Sequence, residues 1–257
     1  MTNKLFILYF HKNSARICGN YYGGIMYKDI FINLSLFYPD FYDSYEKFYM
    51  ERFIYSSTEI EGIKTKEERK IFVSTLMRAF HETYNYEACG RLDVTMIRNI
   101  GNLINREKGL EGFRKINVYP GDNASFTPVL PYQIYPYLYS LIDNYYNVWN
   151  LLDPFLREAM FHINFMRIHP FEDGNKRCAK IILASNLLKS FCAPIIITEE
   201  DTKEYYEFIN NCDYEGLAEF LRQRSKLEMD TLVSLFKMKY NVPMDETPDV
   251  FKEKLKR

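Results

Sequence analysis

The apolar residues of this chain recur mostly at helical spacing. Between Asp153 and Arg167 they fall at positions i, i+3 and i+4, which predicts an amphipathic helix. Asp153 is placed to cap this helix, and Pro154 suits its first position. From Asn175 to Leu188 apolar residues cover most of the circumference, a pattern typical of a buried central helix. The sequence therefore predicts two successive core helices joined by a short loop.

Other segments show the same helical period. Thr65 opens one of them with a capping box that ends at Glu68. We expect the segment after Tyr214 to be helical in two pieces. The predicted helices outside the central pair are Tyr42–Ile54, Thr65–Tyr86, Asp93–Asn105, Pro131–Trp149, Thr198–Asn210 and Tyr214–Phe236.

Residues 113–131 break the helical pattern. Phe113 to Tyr119 is strand-like, Pro120 to Asn123 reads as a turn, and Ser125 to Pro128 reads as a return arm. This stretch predicts a surface β-hairpin, the one convincing β element in a mostly α-helical chain.

Composition indicates an ordinary globular protein. Of 257 residues, 47% are hydrophobic and 26% are charged, and a net charge of −1 argues against a general binder of nucleic acid or of a membrane surface. The apolar run Leu5–Phe10 is too short for a signal-peptide core or a membrane span. Five scattered cysteines without a Cys-x-x-Cys pair favour reduced thiols and a cytoplasmic location: Cys18, Cys89, Cys178, Cys192 and Cys212.

The loop between the two core helices concentrates chemically useful side chains. A helix N-terminus offers free backbone N–H groups to a phosphate, and Gly174 lets the backbone come close to a ligand. Arg177 and Lys180 share a helix face and could reach one polyphosphate. Asp173 is a hard oxygen ligand for Mg²⁺, and His169 suits proton abstraction near neutral pH. A purely structural interpretation also exists, because His-Pro can end a helix and Asp-Gly-Asn is common turn chemistry.

The stretch from His169 to Arg177 resembles the signature of the Fic-domain family, His-x-Phe-x-(Asp/Glu)-Gly-Asn-(Gly/Lys)-Arg-x-x-Arg. The resemblance implies transfer of AMP from ATP to a protein hydroxyl. It implies that His169 is the catalytic base and that Asp173 holds Mg²⁺. The implied phosphate site consists of Gly174, Asn175, Lys176, Arg177 and Lys180.

Two lysines depart from the commonest form of the signature. Lys176 replaces a more frequent glycine, as in the Doc-toxin branch, which transfers phosphate instead of AMP. Lys180 replaces the second arginine, which in the family helps to hold the γ-phosphate of ATP. Lysine lacks the two-pronged geometry of arginine, so both changes bear on how the nucleotide lies in the site.

A second motif precedes the predicted catalytic core. Ser57-x-x-x-Glu61-Gly62 is similar to the inhibitory motif of one class of Fic proteins, in which the glutamate enters the ATP site. The resemblance implies that Glu61 pairs with Lys180, with help from Arg177. As an independent structural interpretation, Gly62 simply ends the preceding helix.

The predicted hairpin also has a counterpart in the family. In Fic proteins the matching segment is a flap over the active site, beside which a target segment adds as an extra strand. Val118 and Tyr119 are the candidate flap residues for docking the target.

These observations predict a mostly α-helical, Fic-like bundle with a β-hairpin flap. Residues 1–55 would lead into an inhibitory helix, residues 56–224 would form the catalytic domain, and residues 225–257 would form a helical and polar tail. The expected cofactors are ATP and Mg²⁺. The expected partner is a protein with a Ser, Thr or Tyr hydroxyl, or this chain itself through self-modification, with no nucleic acid and no membrane.

The same residues are compatible with three other functions. Glu61 could position a water that removes AMP from a modified hydroxyl. Lys176 could turn the nucleotide so that the γ-phosphate is transferred, as in the Doc branch. Lys180 could have ended catalysis and left a nucleotide-binding module.

Overall fold

The computed structural model describes residues 21–22, 25–63, 65–87, 91–190 and 192–242. The apolar run 5–10, the polar tail after residue 242, Cys18 and Cys89 lie outside these ranges. The described part is mostly helical, and its strands are the antiparallel pair β1 (Tyr21–Tyr22) and β2 (Ile25–Met26), with Tyr21 opposite Met26.

The described residues form the following helices in chain order. They are α1 (Tyr27–Phe37), α2 (Pro39–Ile60), α3 (Lys66–Glu87), α4 (Val94–Ile104), α5 (Ile134–Asp143), α6 (Pro154–Ile168), α7 (Asn175–Lys189), α8 (Thr202–Asn211) and α9 (Tyr214–Lys239). Short 3₁₀ turns lie at Arg106–Lys108 and Pro131–Gln133, and a π-helical turn at Asn144–Val148 follows α5.

Predicted caps start three of these helices. The Asp153 carboxylate accepts hydrogen bonds from the N–H groups of Phe155 and Leu156, at 3.0 and 3.3 Å. Asp93 accepts one from Met96 at 2.7 Å, and the Thr65 hydroxyl accepts one from Glu68 at 3.2 Å. Each bond satisfies a backbone donor that lacks a partner inside its helix.

Helices α6 and α7 form the centre of the molecule. Helix α6 packs against α9, α7 and α5, while α7 also contacts α3 and α4. Almost every residue from Asn175 to Leu187 is buried, which confirms the prediction of a central helix. The loop between α6 and α7 is therefore held from several sides, so its side chains are well positioned.

The predicted two pieces after Tyr214 are one continuous helix, α9. Its buried residues recur along its whole length, from Leu217 to Phe236, and the packing against α6 keeps it in one piece. The division of the chain into 1–55, 56–224 and 225–257 stays a prediction, with its last boundary falling inside this helix.

The predicted β-hairpin does not form paired strands. Residues 113–130 are irregular, with a turn closed by a bond of 3.1 Å from the Ala124 N–H to the Gly121 carbonyl. The arms are joined through a side chain: the Arg114 guanidinium donates to the carbonyls of Ile116 and Val129. That guanidinium takes carbonyls that a strand ladder would use, so the strand-like residues and the turn of this stretch are not accompanied by strand pairing.

Candidate active site

His169 ends helix α6 in a left-handed backbone conformation, with φ 52° and ψ 60°. This region is uncommon outside glycine, although histidine enters it more readily than most residues. The His169 N–H donates to the Phe165 carbonyl at 3.0 Å, which closes the last turn of the helix. The chain can therefore turn sharply towards α7 immediately after this residue.

The His169 ring is buried and is held through one of its two nitrogens. Its Nδ1 lies 3.2 Å from the Met166 carbonyl, so a proton on Nδ1 is donated there and Nε2 keeps its lone pair. The pKa of His169 is lowered to about 4, chiefly by burial and also by the cations Arg114 and Lys176, while the Met166 bond and Asp173 act in the opposite direction. The ring is therefore neutral near pH 7, as a general base must be.

Gly174 stands at the N-cap of α7, and its conformation requires glycine. Its φ is +80°, and a Cβ built there would lie 2.7 Å from Cγ2 of Ile104 and 3.2 Å from Oδ1 of Asn105. Asn105 also donates from Nδ2 to the Asp173 carbonyl at 2.8 Å. The loop thus lies directly on the end of α4, through contacts that the sequence analysis missed.

The Asn175 side chain is used to shape the loop. Its Oδ1 accepts from the Phe171 N–H and its Nδ2 donates to the Phe171 carbonyl, both at 2.9 Å. The Phe171 ring packs so closely on Gly101 that a Cβ there would overlap it. The oxygen and the nitrogen of the Asn175 side-chain amide are therefore both used within the loop. The prediction that Asn175 binds phosphate stays a prediction, and its backbone N–H is the group that would do so.

Two basic residues of α7 are buried beside the loop. Arg177 donates to Oδ2 of Asp173 at 2.7 Å and lies over the Phe72 ring, and its Nε is a buried donor without a hydrogen-bond partner. Lys180 is 6% exposed, and burial lowers its pKa to about 8 despite the opposing effect of Glu61. Buried cations without full pairing are costly unless a ligand compensates them.

Asp173 carries a stable negative charge. Burial acts to raise its pKa, but Arg177 and Lys108 outweigh that effect and bring the pKa down to about 2. The Lys108 Nζ lies 2.6 Å from Oδ2 of Asp173, although Lys108 is 65 residues away in the chain. The sequence analysis did not identify Lys108, because nothing in its local pattern separates it from other surface lysines.

Glu61 reaches this site from the end of α2. The helix ends in a Schellman motif: Gly62 has φ 65° and its N–H binds the Glu59 carbonyl, while the Ile63 N–H binds the carbonyl of Thr58. The Ser57 carbonyl accepts the Glu61 N–H at 3.3 Å. The glycine that ends the helix and the glutamate that enters the site therefore belong to one local structure.

The ion-pair partner of Glu61 is Lys176, not the predicted Lys180. Lys176 Nζ lies 3.1 Å from Oε1 of Glu61, and both side chains are about a quarter exposed. Lys180 is deeper in the protein and feels the Glu61 charge without forming that pair. Lys176, which stands where the commonest signature has glycine, thus forms the ion pair with Glu61 that the resemblance assigned to Lys180.

Helix α2 is held firmly to the rest of the molecule. The Glu228 carboxylate of α9 accepts from Tyr45 at 2.9 Å and from Arg52 at 2.9 and 3.0 Å. The Tyr49 hydroxyl donates to the Ile195 carbonyl at 3.0 Å, and the Ser56 hydroxyl donates to the Ile197 carbonyl. These bonds fix the position from which Glu61 extends.

Arg114 connects the irregular segment 113–130 to the loop between α6 and α7. Its Nε donates to the His169 carbonyl at 2.7 Å and its backbone N–H donates to the Pro170 carbonyl at 2.9 Å. The same guanidinium binds the two arms described above, and burial lowers its pKa. Sequence reasoning missed this residue, because all its partners are main-chain carbonyls that leave no trace in residue types.

The candidate flap residues differ in exposure. Tyr119 is 72% exposed, whereas Val118 is partly buried. Their role in docking a target remains a prediction.

The described residues contain no group of three or more His, Cys, Asp or Glu side chains that could hold a metal by themselves. Within the same ranges, no helix is both long and apolar enough to cross a membrane. The site thus combines a neutral imidazole, the ionised carboxylate of Asp173, a helix N-terminus and a group of basic side chains, of which Lys176 is paired with Glu61. This arrangement can hold a polyphosphate beside a proton acceptor.

Comparison with known proteins agrees with this chemistry. Residues 83–187 match the family model described as Fic/DOC family. Protein adenylyltransferase fic-1 of Caenorhabditis elegans is 32% identical over 130 residues, which cover 50% of this chain and 25% of that protein. Protein adenylyltransferase Fic of Drosophila grimshawi is 27% identical over 175 residues, covering 63% and 34%. The chain thus spans about a quarter to a third of these relatives' length.

Two solved structures share the fold. A Fic-domain-containing signaling protein of Bacteroides thetaiotaomicron has a TM-score of 0.66 at 20% identity, covering 86% of this chain and 97% of that one. Fic-1 of Caenorhabditis elegans has a TM-score of 0.67 at 16% identity, covering 91% and 72%. Residues 83–187, which match the Fic/DOC family model, include the whole loop between α6 and α7, as the resemblance of the loop sequence predicted.

Proposed function

We propose that this chain transfers AMP from ATP to a hydroxyl group of a protein. The observation that carries the proposal is the neutral His169 ring, held through Nδ1 beside a helix N-terminus with buried cations. The adenylyltransferase names of the relatives support the same reaction. A Ser, Thr or Tyr side chain of the target would supply the hydroxyl.

In the proposed reaction, the target hydroxyl oxygen attacks the α-phosphorus of ATP. Nε2 of His169 takes the hydroxyl proton, a new oxygen–phosphorus bond forms, and the bond from the α-phosphorus to the bridging oxygen of the β-phosphate breaks. Pyrophosphate leaves with that bonding electron pair. The N–H groups at the start of α7, together with Arg177 and Lys180, would bind the phosphates.

The single carboxylate of Asp173 fits a magnesium ion shared with the nucleotide. Mg²⁺ in nucleotide enzymes is commonly bound by one or two carboxylates plus substrate phosphates, and Asp173 is ionised throughout the physiological range. When bound, the ion would neutralise phosphate charge. Lys108 and Arg177, which hold the carboxylate at Oδ2, fix its orientation for this purpose.

We further propose that Glu61 inhibits the reaction in cis. Its carboxylate binds Lys176 and lies close enough to Lys180 to affect the pKa of that residue. A negative charge there repels the outer phosphates of ATP and occupies a cation that would otherwise bind them. Because the pair is partly exposed, we take its strength as about 1 kcal/mol, which corresponds to roughly a fivefold effect.

The test uses ATP labelled at either the α- or the γ-phosphate, with Mg²⁺ and candidate target proteins. We expect label from the α position only, a rise of roughly fivefold or more in Glu61→Gln and Glu61→Gly, and a loss of at least about a hundredfold in His169→Ala. Glu59→Gln is the matched control, because it removes the same charge from the same helix end. It should behave like the wild type.

Other outcomes would decide for the alternatives. Label from the γ-phosphate alone would establish phosphate transfer in place of AMP transfer. Loss of AMP removal from a modified protein in Glu61→Gln, without a gain in transfer, would mean that Glu61 serves hydrolysis. ATP binding with no transfer from any variant would leave a nucleotide-binding module.

A further inference from the structure

A cleft with a volume of about 670 Å³ has Arg114 among its lining residues. Helix α4 contributes Arg98 and Asn102 to it, residues 111–115 form a second wall, and the segment Pro131–Tyr135 contributes two tyrosines. We call this feature the cationic cleft.

The charges of the cationic cleft are unbalanced. Arg98, Arg114 and Lys115 line it, against one carboxylate, Glu111. In the part of the chain that the structure describes, neither Arg98 nor Lys115 forms an ion pair with a carboxylate. The whole chain has a net charge of −1, so this positive excess is a local property of the cleft.

The tyrosines add a surface suited to a polypeptide. Tyr132 is 76% exposed and Tyr135 is 46% exposed. Tyrosine offers a large apolar ring together with a hydroxyl that can bind main-chain groups, and it is enriched with arginine at protein interfaces. An open cleft with these walls fits an extended segment better than a compact small molecule.

The cationic cleft is directly connected to the catalytic loop. The Arg114 side chain and backbone bind the carbonyls of His169 and Pro170. The Phe113 ring lies between Phe171 of the loop and Tyr135 of the cleft, with ring centroids 5.5 and 5.1 Å away. A segment bound in the cleft would therefore be separated from the loop by a single layer of side chains.

We propose that the cationic cleft binds an acidic, extended segment of the target protein, next to the hydroxyl that receives AMP. This inference rests on the proposed function for its biological meaning, while the binding itself does not depend on catalysis. It assigns the target a chemical feature: Asp or Glu residues close in sequence to the modified side chain.

The first measurement is fluorescence anisotropy of two labelled peptides without nucleotide. One peptide contains a tyrosine flanked by glutamates, and the other replaces each glutamate with glutamine. We expect the acidic peptide to bind more tightly than the glutamine peptide. The double variant Arg98→Glu, Lys115→Glu should bind the acidic peptide at least roughly tenfold more weakly than the wild type. The matched control, Lys203→Glu with Lys226→Glu, changes the same charge at exposed sites on α8 and α9 and should leave binding unchanged.

Three results would overturn the inference. They are equal binding of the two peptides, equal loss in the control variant, and no binding of the acidic peptide up to millimolar concentration. A single-stranded oligonucleotide that binds through Arg98 and Lys115 more tightly than the acidic peptide would assign the cleft to nucleic acid instead.

A second readout separates this inference from the proposed function. If AMP is transferred, the acidic peptide should be the better substrate, and the Arg98→Glu, Lys115→Glu variant should lose that preference while the glutamine peptide reacts as before. If no AMP is transferred but the charge-dependent binding persists, the proposed reaction fails and the cleft assignment stands.

Discussion

Replacing Gly174 by alanine tests how closely the active-site loop lies on helix α4. Gly174 has φ +80°, a region that costs an alanine about 1–2 kcal/mol. The added Cβ would also lie 2.7 Å from Ile104 Cγ2, and overpacking of this kind typically costs a further ~1–3 kcal/mol. We therefore expect Gly174→Ala to lower the free energy of unfolding by about 2–5 kcal/mol.

Gly109 provides a matched control for the backbone part of this cost. Its φ is +65°, but a Cβ there would have no heavy atom within 4 Å. Gly109→Ala should therefore cost only the backbone share, about 1–2 kcal/mol. The effect of each substitution on the unfolded chain is the same and cancels in the comparison.

Urea unfolding of the wild type and the two variants measures the difference, which we expect to be about 1–3 kcal/mol. Equal destabilisation would refute the close contact with Ile104. Titration with ATP provides the functional side of the test, because a loop displaced from α4 should bind the nucleotide more weakly, whereas Gly109→Ala should bind it normally.

Two further predictions concern residues around the same loop. Because the pKa of Lys180 is about 8, its ammonium is charged below that pH and loses its charge above it. KM for ATP should therefore rise above about pH 8 in the wild type. It should stay level in Lys180→Arg, because arginine remains charged. A parallel rise in both proteins would contradict the binding of ATP phosphates by Lys180. Arg114→Lys should lose about 2–4 kcal/mol of unfolding free energy, because lysine cannot reproduce the charged hydrogen bonds to several carbonyls. Hydrogen exchange in residues 116–129 should rise in that variant, and unchanged protection would contradict the anchoring role.

Local patterns in the sequence were sufficient for most helices. The caps at Asp93 and Asp153 act over three residues, so their effect can be read directly from the chain. The buried character of α7 follows from its apolar circumference in the same way. The loop sequence from His169 to Arg177 was specific enough to predict the match to the Fic/DOC family model.

Local sequence patterns could not predict contacts between residues that lie far apart in the chain. The strand-like residues 113–119 did not reveal that Arg114 would bind the carbonyls of Ile116 and Val129. Lys108 lies 65 residues from Asp173, and its pairing depends on where α4 ends relative to the loop.

The ion pair of Glu61 is also a contact between distant residues, and for that reason its partner was predicted wrongly as Lys180. The sequence determined that a glutamate follows the last turn of α2, since Gly62 and the Schellman motif place it there. It also determined the basic positions of α7. Which lysine meets that glutamate was decided by the packing of α2 and α7 in the tertiary structure, because Lys176 and Lys180 are one helical turn apart and carry the same charge. Lys176, which is nearer the start of α7 and more exposed, forms the pair, and the deeper Lys180 remains within the field of both charges.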